Sequence, residues 1–139
     1  MHYSVGAIIE REGVYFLLER KNPPLGYAGI AGHVDIIKGK PGELDVPEDP
    51  LVALLREGKE ESGLELLEPE LIFEEELPWN WCSKGIGVHY WRVYKAKSIG
   101  KAVHNPHESK SSGWFLPKEM QRLPLEPVWG YWFNKLKII

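Results

Sequence analysis

The chain has 139 residues, 43% hydrophobic and 27% charged, which suits one domain over residues 1–139 with a true core. A net charge of −3 gives no electrostatic case for general nucleic-acid or membrane binding, and no stretch approaches the ~20 apolar residues of a membrane span. Cys82 is alone, so an internal disulfide is excluded; with no signal-length apolar run at the N-terminus, a cytoplasmic protein is expected. Residues 3–9 read as a strand, and residues 14–19 as its hairpin partner across Glu12-Gly13. Residues 20–26 are a loop by composition, and 27–34 a small-residue strand or turn. Residues 36–47 read as irregular, with their glycines and prolines. A helix follows over 49–62. Strands are expected at 70–74 and 86–96, with a turn at 78–81, a polar loop over 98–112 and a short strand at 113–117. A turn or short helix at 117–122 precedes an amphipathic C-terminal helix over 127–137. Strand pairs interleaved with two helices predict an α+β fold, a mixed sheet with a helix on each side.

The first helix carries the chemistry. Asp49 can cap its free N–H groups, Pro50 suits its first turn, and Gly63 closes it in a left-handed conformation. At about 100° per residue, Leu51, Leu54, Leu55 and Ser62 form the expected buried stripe, with Gly58 among them. Glu57, Glu60 and Glu61 fall roughly a third of a turn away. Carboxylates at i, i+3 and i+4 repel one another, and a cation neutralises them; oxygen-only ligands suit Mg²⁺ or Mn²⁺. An ordinary solvated acidic face is the simpler explanation for any three such glutamates.

The surrounding order decides between the two. Glu48, seven residues, Arg56-Glu57, two residues, Glu60-Glu61, one residue, Gly63-Leu64 resembles the signature of the Nudix hydrolases at every charged and glycine position. The aliphatic position is Gly58 instead. Glycine inside a helix costs about 1 kcal/mol relative to alanine, so another element is expected to approach closely there. Gly42 stands at the family's usual glycine spacing before Glu48, yet the segment Ala31-Gly32-His33-Val34-Asp35 looks more like the family's glycine segment. The second registration puts the signature at 32–64, with an insertion near 36–45 at the mouth of the site.

The resemblance implies an α/β/α sandwich and a Mg²⁺-dependent pyrophosphohydrolase (Mn²⁺ as an alternative) acting on a nucleoside diphosphate derivative. It implies that Glu57, Glu60 and Glu61 hold metal or handle the proton, with Glu48 and the carbonyl of Gly32 as further metal candidates. Arg56 pairs with acids and orients them. Glu108, in a loop before a strand carrying Trp114, is the candidate additional ligand or general base, on a segment able to swing in with substrate. Arg20, Tyr27, His33, Trp79 and Trp81 are candidates for substrate contact, although core or rim packing is the simpler explanation for Tyr27, Trp79 and Trp81, and surface solvation for Arg20. His104, His107 and His89 lack a helix or cysteine partners, so their spacing argues only weakly for zinc. Cys82, beside two tryptophans, reads as buried and inert. A homodimer through the aromatic C-terminus is compatible with the sequence. The alternative function is a non-catalytic relative that binds a nucleotide as a sensor.

Overall fold

The computed structural model describes residues 2–80 and 88–139. β1 (His2–Arg11) turns at Glu12-Gly13 into β2 (Val14–Arg20). Both turn residues have positive φ, 52° and 83°, the twist that a two-residue hairpin requires. The small-residue run divides into β3 (Tyr27–Ala28) and β4 (Ile30–His33), and β5 (Ile36–Ile37) pairs with β6 (Val46–Pro47). Then come α1 (Pro50–Ser62), β7 (Glu65–Leu77), β8 (His89–Ile99), β9 (Ser109–Phe115), α2 (Pro117–Met120) and α3 (Pro127–Lys135).

β4 and β8 flank the first half of β1, and β7 extends the sheet beyond β8. The end of β1 pairs with β2, which also carries β3 and β9. β1 and β8 run parallel while the other pairs are antiparallel, so the sheet is mixed. Alternation along β1 assigns its two faces. Gly32 lies opposite Val5, and a Cβ there would run into Glu57 of α1. Gly6, one residue on, faces the other way, against the indole of Trp129 in α3. The sheet therefore lies between α1 and α3, as the sequence predicts. Trp129, Trp132 and Phe133 are fully buried against it, and a Cβ at Gly29 would come within 2.7 Å of the Trp129 ring.

Residues 36–47 are not wholly irregular: their ends form the β5–β6 ladder, closed by the Glu48 N–H donating to Asp35 O at 2.7 Å. Ile36, Ile37 and Val46 are exposed, so no buried-face alternation marked them as strands. β7 begins five residues earlier than expected. Glu68 has φ 49° and the register slips between Leu67 and Glu70, a bulge that accommodates Pro69, which cannot donate to the ladder. The polar run Ser109–Ser112 joins β9 through pairing with β2 rather than staying in a loop.

The expected stripe of α1 needs correction. Leu51 and Leu55 are 41% and 44% exposed, whereas Ala53, Leu54, Gly58, Glu61 and Ser62 are buried. The helix is turned so that Glu61 reaches the backbone of β4 and Gly58 meets β7. A Cβ at Gly58 would stand 2.8 Å from Leu66 side-chain carbons, the close approach that a glycine in this position implied. Gly58→Ile is expected to lower stability by about 2 kcal/mol through overpacking, despite its better helix propensity. Urea melts of Gly58→Ile and of Gly58→Ile with Leu66→Ala check this: the second change should recover most of the loss. Among the described residues no helix is long and apolar enough to cross a membrane.

Candidate active site

α1 is fixed at both ends. Asp49 accepts from the Leu51 N–H at 2.8 Å, and Gly63, with φ 73°, donates its N–H to Lys59 O at 2.9 Å. Between these caps the helix presents Glu57 and Glu61 to β4. Glu61 Oε1 accepts the Ala31 N–H at 2.8 Å, and the residue is only 8% exposed. Glu57 lies over Gly32, where any side chain would displace it. Glu60 stands further out, with its side chain 47% exposed.

Arg56 ties these acids together. Its guanidinium donates to Glu48 Oε1 at 3.0 Å and to Glu57 Oε1 at 2.9 Å, and lies 3.3 Å from Asp35 and 3.7 Å from Glu60. The hydrogen bond from Arg56 holds the Glu48 carboxyl below its ordinary range, and the Asp35 N–H donating to Glu48 Oε1 at 3.1 Å adds to this. Glu48 thus anchors Arg56, and Arg56 orients Glu57.

A fourth carboxylate arrives from the segment between β8 and β9. Val103 donates its N–H to Ser62 O at 2.8 Å, and the Asn105 side chain donates to Glu60 O at 3.1 Å. Asn105 in turn accepts from the backbone N–H groups of His107 and Glu108. Glu108 is thereby already in place, sharing one polar cleft with Glu57, Glu61, Ala31, Arg20 and Lys21. Burial pushes the Glu57 carboxyl up to about 7, with Glu60 and Glu108 adding repulsion. Burial also raises the Glu61 carboxyl well above the usual range, against the Ala31 hydrogen bond and helped by Glu57 and Glu108. Without a cation these acids destabilise one another. An all-oxygen, strongly anionic donor set of this kind fits a hard divalent cation.

A wider cleft adjoins the first and shares Arg20 and Ala31 with it. His33, Asn80, His89, Trp91 and Glu126 line it. Asn80 Oδ1 accepts the Trp91 indole N–H at 2.8 Å. Glu126, just before α3, is 5% exposed and 3.9 Å from Arg20 Nε. Burial raises its carboxyl to about 7, with Arg20 opposing the shift. A carboxyl raised this way favours folding in its protonated form, so its contribution is complete below the unfolded pKa and disappears as pH rises to about 7. The difference corresponds to about 3 kcal/mol. Glu126→Gln should therefore match wild type near pH ~4.5 and exceed it by up to about 3 kcal/mol near pH ~8. Urea unfolding of both proteins across that range checks it, and the wild-type-minus-variant difference isolates this group from Glu57 and Glu61.

Of the other residues singled out in the sequence, Arg20 belongs to both clefts and His33 to the wider one. Tyr27 packs edge-on to Phe115, and the half-exposed Trp79 packs edge-on to Tyr131; neither is among the residues that line the two clefts. Trp81 and Cys82 lie outside the described residues. His104, His107 and His89 do not assemble: His104 pairs with Ser109 O, and His107 is exposed. Sequence reasoning missed Glu126, Asn80 and Asp35. An acid flanked by Leu125 and a helix-opening Pro127 was the available sign that Glu126 is buried.

The NUDIX domain family model matches residues 1–136. No curated protein matches the chain. Among solved structures, the E. coli ORF135 protein is 25% identical and has a TM-score of 0.63, covering 91% of this chain and 81% of its own. The NUDIX domain of Shewanella oneidensis NrtR, crystallised with ADP ribose, has a TM-score of 0.72 at 13% identity, covering 97% and 85%. An ADP-ribose pyrophosphatase from Streptococcus suis has a TM-score of 0.64 at 16% identity, covering 89% and 78%. With the family model spanning nearly its whole length, the chain belongs to the NUDIX family.

Proposed function

We propose that the protein hydrolyses a phosphoric anhydride bond in a nucleoside diphosphate derivative, using Mg²⁺ held by Glu57, Glu60 and Glu61. The observation that carries this reading is the convergence of Glu57, Glu61 and Glu108 in one cleft together with Arg20 and Lys21. Bound there, the cation supplies positive charge to the phosphate oxygens and acidifies a water. Glu61, held by the Ala31 N–H, and Glu57, held by Arg56, are fixed before any ligand arrives, so little reorganisation opposes binding. Glu48 acts through Arg56. Glu108 reaches the cleft from a separate element and takes the proton of the attacking water. Arg20 and Lys21, which line the same cleft, neutralise the diphosphate, and the adjoining cleft receives the rest of the substrate. Solved relatives named for ADP ribose and for MutT support a nucleotide-derived substrate.

The test is a panel of nucleoside triphosphates, ADP-ribose, sugar nucleotides and dinucleotide polyphosphates, each with Mg²⁺, with Mn²⁺ and with chelator. Release of a nucleotide or phosphate product that depends on the cation is expected for at least one class. No turnover on any member with either cation would remove the proposal.

A further inference from the structure

Three histidines far apart in sequence meet on the α3 side of the sheet. His2 and His89 are direct partners in the parallel β1–β8 ladder, so their side chains project to the same face. His33 lies opposite Ser4 in the β1–β4 ladder, two residues along β1 from His2 and therefore on that face too. One nitrogen from each imidazole lies within 4.8 Å of the other two. We infer that His2, His33 and His89 form a binding site for an imidazole-preferring divalent metal of the first transition row, with Zn²⁺ the redox-inert case, separate from the carboxylates of α1.

Ring placement supports an ion at the centre. With Zn–N at about 2.0–2.1 Å and the ring centroid about 1.1 Å beyond, tetrahedral ligation sets imidazole centroids about 5.2 Å apart. The three separations are 5.1 Å for His2–His33, 5.6 Å for His2–His89 and 5.9 Å for His33–His89. Bringing the nitrogens to the roughly 3.4 Å of a tetrahedral site takes a closure of at most about 1.4 Å. His89 is also prepared for ligation. Its Nδ1 lies 2.6 Å from Asn80 O, a carbonyl that can only accept, so Nδ1 carries the proton and Nε2 the lone pair. A ligating histidine usually has such a carbonyl on its other ring nitrogen, fixing both tautomer and ring orientation.

The two sites differ in chemistry as well as in place. The helix site offers oxygen, which suits Mg²⁺ or Mn²⁺; three imidazoles suit Zn²⁺, Co²⁺ or Ni²⁺. Three protein ligands is also the number found in zinc sites that keep a position for water or an exchangeable ligand. His33 and His89 line the wider cleft, so an ion here forms part of the wall against which a substrate would lie. No spacing motif announces this set, because residues 2, 33 and 89 are joined only by strand register.

The experiment titrates the metal-stripped full chain with Co²⁺ in excess Mg²⁺ and follows visible absorption. Intense bands of four-coordinate Co²⁺ are expected, saturating at about one ion per chain and bleached by Zn²⁺. His2→Ala and His89→Gln should each weaken Co²⁺ binding at least tenfold, while Glu61→Gln leaves the bands unchanged. His89 is buried, so thermal melts accompany its variant; if it fails to fold, the half-buried His2 at the start of β1 carries the test alone. Absence of the bands in wild type, their persistence in His2→Ala, or their loss in Glu61→Gln would overturn the assignment.

Discussion

Glu61→Gln loses at least about 10³-fold in kcat, a barrier increase of about 4 kcal/mol, while its metal-free form is more stable than wild type. The two effects have one cause. Glu61 is buried, hydrogen-bonded to the Ala31 N–H, and repelled by Glu57 and Glu108. Glutamine keeps an oxygen for Ala31 and nearly the same volume, so the fold loses nothing, and a poorly solvated charge is removed. A gain of about 1–3 kcal/mol in the absence of cation is expected. Adding Mg²⁺ should then raise the melting temperature of wild type by mass action and leave the variant nearly unmoved. Steady-state kinetics beside melts with and without Mg²⁺ measure both halves. A variant with wild-type kcat, or one destabilised in chelator, contradicts the assignment of Glu61 to the cation.

Gly32→Ala is expected to lower kcat by about 10²-fold without unfolding the protein. Gly32 is extended in β4, paired with Val5, and alanine accepts that backbone conformation. The added methyl group, however, would occupy the space of the Glu57 carboxyl. Glu57 must move, and its bond from Arg56 moves with it. Alanine retains the main-chain carbonyl of residue 32, so a loss reports the displaced Glu57 rather than a missing backbone ligand. Circular dichroism should be unchanged, and Glu57→Gln combined with Gly32→Ala should cost little beyond Glu57→Gln alone. Full additivity of the two changes would mean that Gly32 acts on something other than Glu57.

Legibility in the sequence followed the range of the cause. α1 was readable because its determinants are local: Asp49, Pro50 and Gly63 cap it, and the glutamate spacing places the acids on neighbouring positions. The hairpin at Glu12-Gly13 was readable for the same reason. The face of α1 that meets the sheet was not. Leu51 and Leu55 are more hydrophobic than Glu61, but the free N–H of Ala31 and the side chain of Leu66 set the rotation, and both lie on other strands. Glu126 and Asn80 belong to the wider cleft through tertiary packing alone, and the histidine cluster through ladder register. Tyr27 and Trp79 stood out as aromatic residues, yet the partners they found were Phe115 and Tyr131.

The anchoring of Glu108 has a mechanical corollary. Val103 and Asn105 clamp the incoming chain to the C-terminal turn of α1, so an acid remote in sequence travels as one rigid piece with Glu57 and Glu61. Slack introduced upstream, around the exposed bend at Gly100, is taken up before the clamp, and the three acids keep their spacing. Lengthening the chain between Asn105 and Glu108 has no such buffer.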